Sequence, residues 1–184
     1  MIFILASKQP ALRKILSLVL TSLVLISGML MSAPMLRSHA EDAPDPMDAI
    51  VDFNPRTTAP KNNSYYTSKN AYYQCGYGMP NCTAYAYGRA YEILQKKPKL
   101  CMGNAYEWYG YNKSKGYYDY GKKPRLGAIA CWGRGHVAVV EKIKDGKVTV
   151  SESHYSGRYF DTKQLTQGKE SNYCGSFQGY IYIL

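Results

Sequence analysis

One helical segment followed by a series of strand segments is the feature that most constrains the fold of this chain. A helix is predicted from Cys82 to about Leu94, because Asn81 is a favourable N-cap and the Lys-Lys-Pro run at 96–98 ends the helical pattern. Gly88 interrupts this helix, which predicts close packing there. A shorter helix is predicted at 104–109, and strands are predicted at 126–132, 136–143, 148–154 and 178–184. Helices followed by antiparallel strands indicate the α+β class.

The N-terminus has the layout of a secretory signal peptide. Basic residues at positions 8, 13 and 14 precede a run without charge from Ile15 to Leu36, and the small-x-small sequence Ser38-His39-Ala40 follows. We therefore expect a signal at 1–40, cleavage after Ala40, and a protein that is secreted or associated with the cell wall. An uncleaved membrane anchor is the alternative, because the apolar run is about long enough to span a bilayer when tilted.

The remainder of the chain is predicted to hold a single domain. Residues 41–63 are acidic, polar and proline-rich, which is typical of a flexible lead-in, and 64–184 are predicted to be the folded domain. The chain has 23 Lys and Arg against 13 Asp and Glu, and a positive balance suits work near an anionic wall polymer. The charges are scattered and export argues against nucleic acid as a partner. We expect a monomer that meets the membrane only if the signal stays uncleaved.

Cys82 is a candidate nucleophile because of its place at the start of a helix. The first turn of a helix carries a partial positive charge and unpaired N–H groups, which stabilise a thiolate. The N–H of Cys82, together with a donor from Asn81, is a candidate oxyanion hole. The alternatives are that Cys82 is a small buried residue or one half of a disulfide.

The histidines lie on a predicted β-hairpin, and the turn decides whether a site can form there. A two-residue turn at Asp145-Gly146 would pair Lys144 with Lys147 and would put Glu152 on the face opposite to His136.

A three-residue turn with a G1 bulge at Gly146 would instead shift the register by one residue and pair Ile143 with the first residue of the second strand. His136 would then lie opposite His154, with Glu152 diagonal to His136 on the same face. The hydrophobic pattern favours this bulged turn, because it places four apolar residues on one face: Ala138, Val140, Val148 and Val150.

In that register His136 can act as the general base toward Cys82. Glu152 can hold the imidazole and stabilise its charged form, and His154 is left as a second orienting group or fourth site residue. The third histidine, His39, lies in the segment that we expect to be removed. A structural role is the alternative for a lone strand histidine, but two histidines and a glutamate on one patch favour chemistry.

Five motifs follow one another in the chain: Asn-Cys-Thr-Ala-Tyr-Ala-Tyr-Gly-Arg-Ala-Tyr-Glu at 81–92, Gly-Asn-Ala at 103–105 with Trp108, Leu-Gly-Ala-Ile-Ala-Cys-Trp at 126–132, Gly-His-Val-Ala-Val-Val-Glu at 135–141 and Val-Ser-Glu-Ser-His at 150–154. In this order they resemble the CHAP domain, the cysteine- and histidine-dependent amidohydrolase/peptidase family.

The resemblance implies a papain-like α+β fold in which a helix carrying the cysteine packs on an antiparallel sheet carrying the histidine. It implies cleavage of amide bonds in peptidoglycan, with the nucleophile at Cys82, the base at His136 and the orienting acid at Glu152. Two positions depart from the family: His154 stands where the family often has Asn, as in the Cys-His-His usage of NlpC/P60 relatives, and Ala84 replaces a common aromatic. Some members bind calcium before the cysteine, but 64–81 contains no acid, so no such calcium site is expected. The sequence has no CxxC or paired Cys/His spacing, so no other metal is expected, and no cofactor is expected either.

The other cysteines and the tyrosines leave alternatives open. An exported protein can form disulfides, and Cys75, Cys101, Cys131 and Cys174 allow three pairings that the sequence does not distinguish. Cys131, in an apolar strand, could equally be a buried free thiol. The odd number of cysteines fits one free nucleophile. Most of the 19 tyrosines are expected in the core, and some could line a groove for glycan or peptide.

The leading hypothesis is a secreted peptidoglycan hydrolase, either an N-acetylmuramoyl-L-alanine amidase or an endopeptidase, that works through an acyl-enzyme. The alternative is an inactive, disulfide-stabilised surface antigen or wall-binding module of the same fold. A toxin that cuts a different amide is a third interpretation.

Overall fold

The computed structural model describes residues 53–184, and the predicted signal lies outside them. A six-stranded antiparallel sheet forms the centre, in the order β1-β6-β2-β3-β4-β5. The strands are β1 Asp119–Gly121, β2 Ile129–Trp132, β3 His136–Lys144, β4 Lys147–Glu152, β5 Asp161–Thr166 and β6 Phe177–Tyr182. The α-helices are α1 Ala71–Gln74, α2 Cys82–Leu94, α3 Trp108–Lys115 and α4 Ser171–Cys174, with 3-10 turns at Ser64–Tyr66 and Ala105–Glu107. The predicted α+β, papain-like class is confirmed.

Helix α2 has the predicted bounds and packs on one face of the sheet. Asn81 caps it, because its Oδ1 accepts from the Thr83 backbone N–H at 3.0 Å. Small residues let the helix approach its neighbours closely, and Gly88 lies at a point of close packing, as predicted. A Cβ at Gly88 would lie 2.7 Å from the ring of Tyr66 and 2.8 Å from the carbonyl oxygen of Tyr65.

The predicted strands are present with shifted ends, and five short elements were not predicted. The short helix predicted at 104–109 is a 3-10 turn that runs into α3 and ends at Lys115. The unpredicted elements are the 3-10 turn at Ser64–Tyr66, the four-residue helices α1 and α4, and the strands β1 and β5. They are short or polar, so hydrophobic periodicity does not mark them.

The predicted turn of the β3–β4 hairpin is wrong. Lys144 pairs with Lys147, and Asp145 and Gly146 both have positive φ, which is the two-residue type I′ arrangement. The extra residue sits inside β3 instead: Glu141 is skipped between Val140 and Lys142. This internal bulge shifts the register by one residue. Between the bulge and His136, the strands therefore pair in the register that was predicted from a bulged turn.

A buried ion pair explains why the bulge lies at Glu141. Glu141 is 1% exposed and accepts from the Arg89 guanidinium of α2 at 3.0 and 2.9 Å and from the Ser151 hydroxyl at 2.6 Å. A carboxylate buried this far needs a charged partner, and α2 supplies it. The hydrophobic pattern carries no information about this pair.

The segment 53–63 differs from the predicted flexible lead-in. The backbone N–H of Arg56 donates to Glu141 at 2.8 Å, and its side chain pairs with Glu92. Arg89 also donates to the carbonyl of Asn54 at 2.7 Å. Residues 53–63 therefore belong to the folded domain, because they complete its buried charge network.

Two apolar clusters lie on the two faces of the sheet. One packs α2 against Ile129, Val137, Val139 and Ile181, and the other holds Ala138, Val140, Val148 and Val150, as predicted. Within 53–184, no helix has the length and apolar character needed to cross a membrane.

Candidate active site

Cys82 lies at the first position of α2, at one end of the sheet. Its helix start is tied to the end of β4, because the backbone N–H of Asn81 donates to the Ser153 hydroxyl at 3.0 Å. Ser153 stands between Glu152 and His154 in the chain, so this bond helps to hold the thiol beside the histidine patch. Cys82 is buried and lines a cleft that opens to solvent.

His136 and Glu152 are in direct contact. The His136 Nε2 lies 2.6 Å from the Glu152 Oε2. Extending the register of Val139 and Ser151 toward the strand ends places His136 opposite His154, with Glu152 diagonal to it. This is the predicted juxtaposition, reached through the Glu141 bulge rather than through the turn.

The Cys82 side chain lies close enough to His136 to affect the pKa of its imidazole. Burial disfavours the imidazolium, but hydrogen bonds to Cys82 and Glu152 outweigh burial and raise the pKa of His136 to about 9. Since Nε2 faces Glu152, Nδ1 is the ring nitrogen left for the thiol. This arrangement suits proton transfer from Cys82 to Nδ1 and an imidazolium stabilised by the carboxylate.

Aromatic rings fix the orientation of His136. Its ring stacks on that of His154, with centroids 5.4 Å apart and planes 12° apart. Tyr173 and Trp132 meet it at 5.9 and 5.7 Å. His136 therefore has little room to rotate away from the thiol.

Tyr173 is a site residue that sequence reasoning missed. Its hydroxyl donates to the Glu152 Oε1 at 2.5 Å, on the oxygen that His136 does not use. Burial and this bond to Glu152 raise the pKa of Tyr173, so the hydroxyl stays a donor. It lies on the short helix α4, and no motif spacing links that helix to Cys82 or His136.

His154 lies beside the contact between His136 and Glu152 rather than between these two side chains. Its Nε2 is 3.4 Å from the Glu152 Oε1, and about 37% of its side chain is exposed. The stacking on His136 and the contact with Glu152 fit the predicted orienting position.

The candidate oxyanion hole combines two donors at the start of α2. The Asn81 Oδ1 is committed to Thr83, whose N–H and hydroxyl both donate to it, so Nδ2 is the side-chain donor that remains. The N–H of Cys82 occupies a helix position that has no intrahelical acceptor. Both residues line the same cleft.

The cleft beside Cys82 has a volume of about 810 Å³. Exposed aromatic and apolar side chains stand along it: Tyr77, Met102, Tyr106 and Tyr155. Arg134, in the turn before His136, also lines it. A groove of this kind can accept an extended chain with apolar and polar parts.

All five cysteines are free thiols, so the expected disulfide is not present. Three of them are poor thiolates, because burial raises the pKa of Cys101, Cys131 and Cys174, the last to about 11. Cys75 is exposed and lines the cleft, so it is a second thiol that an alkylating reagent can reach.

Three side chains next to the site come close enough to contact one metal ion. Glu152, His154 and Asp161 offer ligand atoms within 4.8 Å of one another. Their oxygens already have partners, because Arg158 pairs with Asp161 and Tyr173 and His136 bind Glu152. These bonds occupy the oxygens that a metal ion would need, so Glu152 is assigned to His136 rather than to a metal site.

A helix-borne cysteine, a strand-borne histidine and a buried carboxylate on an α+β scaffold define a cysteine hydrolase of the papain-like class. Residues 71–154 match the model of the CHAP domain. This match assigns residues 71–154 to the CHAP domain, supports the general character of a cysteine- and histidine-dependent amidohydrolase or peptidase, and suggests a function like that of a peptidoglycan hydrolase.

Proposed function

We propose that the protein is an exported cell-wall hydrolase that cleaves an amide bond of peptidoglycan, as an N-acetylmuramoyl-L-alanine amidase or an endopeptidase. The observation that carries the proposal is the chain of contacts from Cys82 through His136 to Glu152. The free state of Cys82 supports it further, because a disulfide there would block attack.

The reaction begins with the thiol. Cys82 gives its proton to His136 and its sulfur attacks the amide carbonyl, while the N–H of Cys82 and the Asn81 side chain hold the oxyanion. The C–N bond breaks as the imidazolium donates its proton to the leaving amine, which leaves a thioester on Cys82.

Water completes the cycle. His136 removes a proton from water, the hydroxide adds to the thioester carbonyl, and the C–S bond breaks to release a carboxylic acid and the thiol. Glu152 stabilises the imidazolium at each stage, and Tyr173 holds Glu152 in place.

The test is digestion of purified peptidoglycan by the protein expressed from residue 41, followed by mass spectrometry of the fragments. A new free amino terminus on alanine with intact sugar identifies an amidase, and cut stems identify an endopeptidase. Cys82→Ala should abolish cutting. Cys131→Ala, which removes a buried thiol from β2 away from the cleft, should retain it. Cutting that survives in Cys82→Ala would refute the mechanism.

Export rests on the predicted signal at 1–40. Intact-mass measurement of the protein from the culture medium should give a chain beginning at Glu41. Recovery of the whole chain only in the membrane fraction would favour the uncleaved anchor.

A further inference from the structure

One guanidinium in the cleft has no partner among the described residues. Arg134 forms no ion pair or hydrogen bond with the residues at 53–184, and it is the only charged side chain among those described residues that line the cleft. Two other arginines are paired with acids: Arg56 with the half-buried Glu92, and Arg89 with the buried Glu141. Arg134 therefore keeps its full hydrogen-bonding capacity for a bound molecule.

The position of Arg134 is defined by packing. A Cβ placed on Gly175 would lie 2.7 Å from the Arg134 Cδ and 3.0 Å from its Nε, so the arginine stem lies directly on the backbone at the end of α4. Gly175 also has a φ of +82°, which disfavours any residue with a side chain. The guanidinium is thus supported between the β2–β3 turn and α4.

Charge in the cleft favours an anion. No acidic side chain lines it among the described residues, and the Glu152 carboxylate nearby is buried and bound by His136 and Tyr173. Arg134 is separated from His136 by one residue, Gly135, so a group bound there lies close to the reacting carbonyl. A planar guanidinium binds a carboxylate through two parallel hydrogen bonds.

We infer that Arg134 is a specificity residue that binds a free carboxylate of the stem peptide next to the scissile amide. This inference rests on the proposed function. It adds that the cleft prefers a stem peptide with a free carboxylate over one in which that group is a carboxamide. A carboxamide in the same place would accept one hydrogen bond from the guanidinium through its oxygen. Its NH2 group would face a second guanidinium N–H, and neither of these two groups can accept a hydrogen bond.

The experiment compares two preparations of soluble muropeptide dimers that differ only in the second stem residue, D-glutamate with a free α-carboxylate or D-isoglutamine with a carboxamide. We expect the wild type to cleave the carboxylate form with a kcat/KM roughly 10- to 100-fold higher. Arg134→Gln should lose this preference by losing rate on the carboxylate form alone. Arg134→Lys should keep part of it, since an ammonium is a point charge.

The matched control is Lys144→Gln, which removes the same charge from the hairpin tip at the far end of β3 and should keep the wild-type ratio. The rate of Cys82 alkylation checks that each variant retains its site. A preference that persists in Arg134→Gln, or a wild-type ratio near one with both dimers cut, overturns the role of Arg134 and leaves the proposed function standing. If the wild type cuts neither dimer nor whole peptidoglycan, the proposed function fails and this inference fails with it.

Discussion

Replacing Glu152 by glutamine tests the origin of the high pKa of His136. The variant keeps the size of the side chain and removes its charge. At the 2.6 Å between Nε2 and Oε2, two opposite unit charges attract by about 6 kcal/mol at an effective dielectric constant of about 20. Burial opposes the imidazolium, and Tyr173 shares the carboxylate, so only part of this attraction becomes a pKa shift. We expect the pKa of His136 to fall from about 9 by roughly one to two units, or about 1.4 to 2.7 kcal/mol.

NMR titration of the imidazole C–H signals measures this shift directly. The chain has three histidines, and His39 lies in the predicted signal, so a protein expressed from residue 41 gives two signals. His154→Asn assigns them. Glu170→Gln is the control, because it neutralises a buried carboxyl group that bonds to Tyr180 at 2.9 Å and leaves the contacts of His136 unchanged. An unchanged His136 titration in Glu152→Gln would refute Glu152 as the orienting acid.

Amide hydrolysis should fall as the pH rises through about 9, because His136 must be protonated to donate to the leaving amine. The alkylation rate of Cys82, which peptide mapping separates from that of Cys75, should not fall over the same pH range. A parallel decline of both rates would contradict the role of His136 as proton donor. Since folding raises the pKa of His136 from 6.5 to about 9, its contribution to the free energy of unfolding is complete below about 6.5 and should disappear as the pH rises through 9, which urea titrations will detect. Tyr173→Phe should lower kcat about 10-fold with little change in KM, since a hydrogen bond to a charged group is lost; a change confined to KM would assign Tyr173 to substrate binding. Gly88→Ala should destabilise the protein by about 1 to 3 kcal/mol, whereas Gly110→Ala, in a helix with nothing within 4 Å, should be neutral or stabilising; equal urea midpoints would refute the packing argument.

Local signals were sufficient for much of this fold. The α2 helix is bounded by a capping asparagine and a proline, and its alanines and Gly88 report close packing, so its ends and its contact face follow from short-range chemistry. Val148 and Val150 of β4 alternate with polar residues and match Ala138 and Val140 of β3, so the face shared by His136 and Glu152 could also be predicted.

The rest depends on contacts between distant parts of the chain. The Glu141 bulge exists because Arg89 pairs with that carboxylate, and neither residue reveals its partner through spacing. Tyr173 reaches Glu152 from a four-residue helix that hydrophobic periodicity cannot mark. The segment at 53–63 has the composition of a linker, yet Arg56 supplies bonds that Glu92 and Glu141 require.

The Glu141 bulge separates the tip of the hairpin from the chemistry at its base. Because the extra residue is absorbed in mid-strand and held there by Arg89, the alignment of His136 with Glu152 does not depend on how many residues join Lys144 to Lys147. Related chains can therefore acquire insertions at this loop without losing their alignment. For protein engineers, the same loop is a place to graft an affinity tag or a targeting peptide.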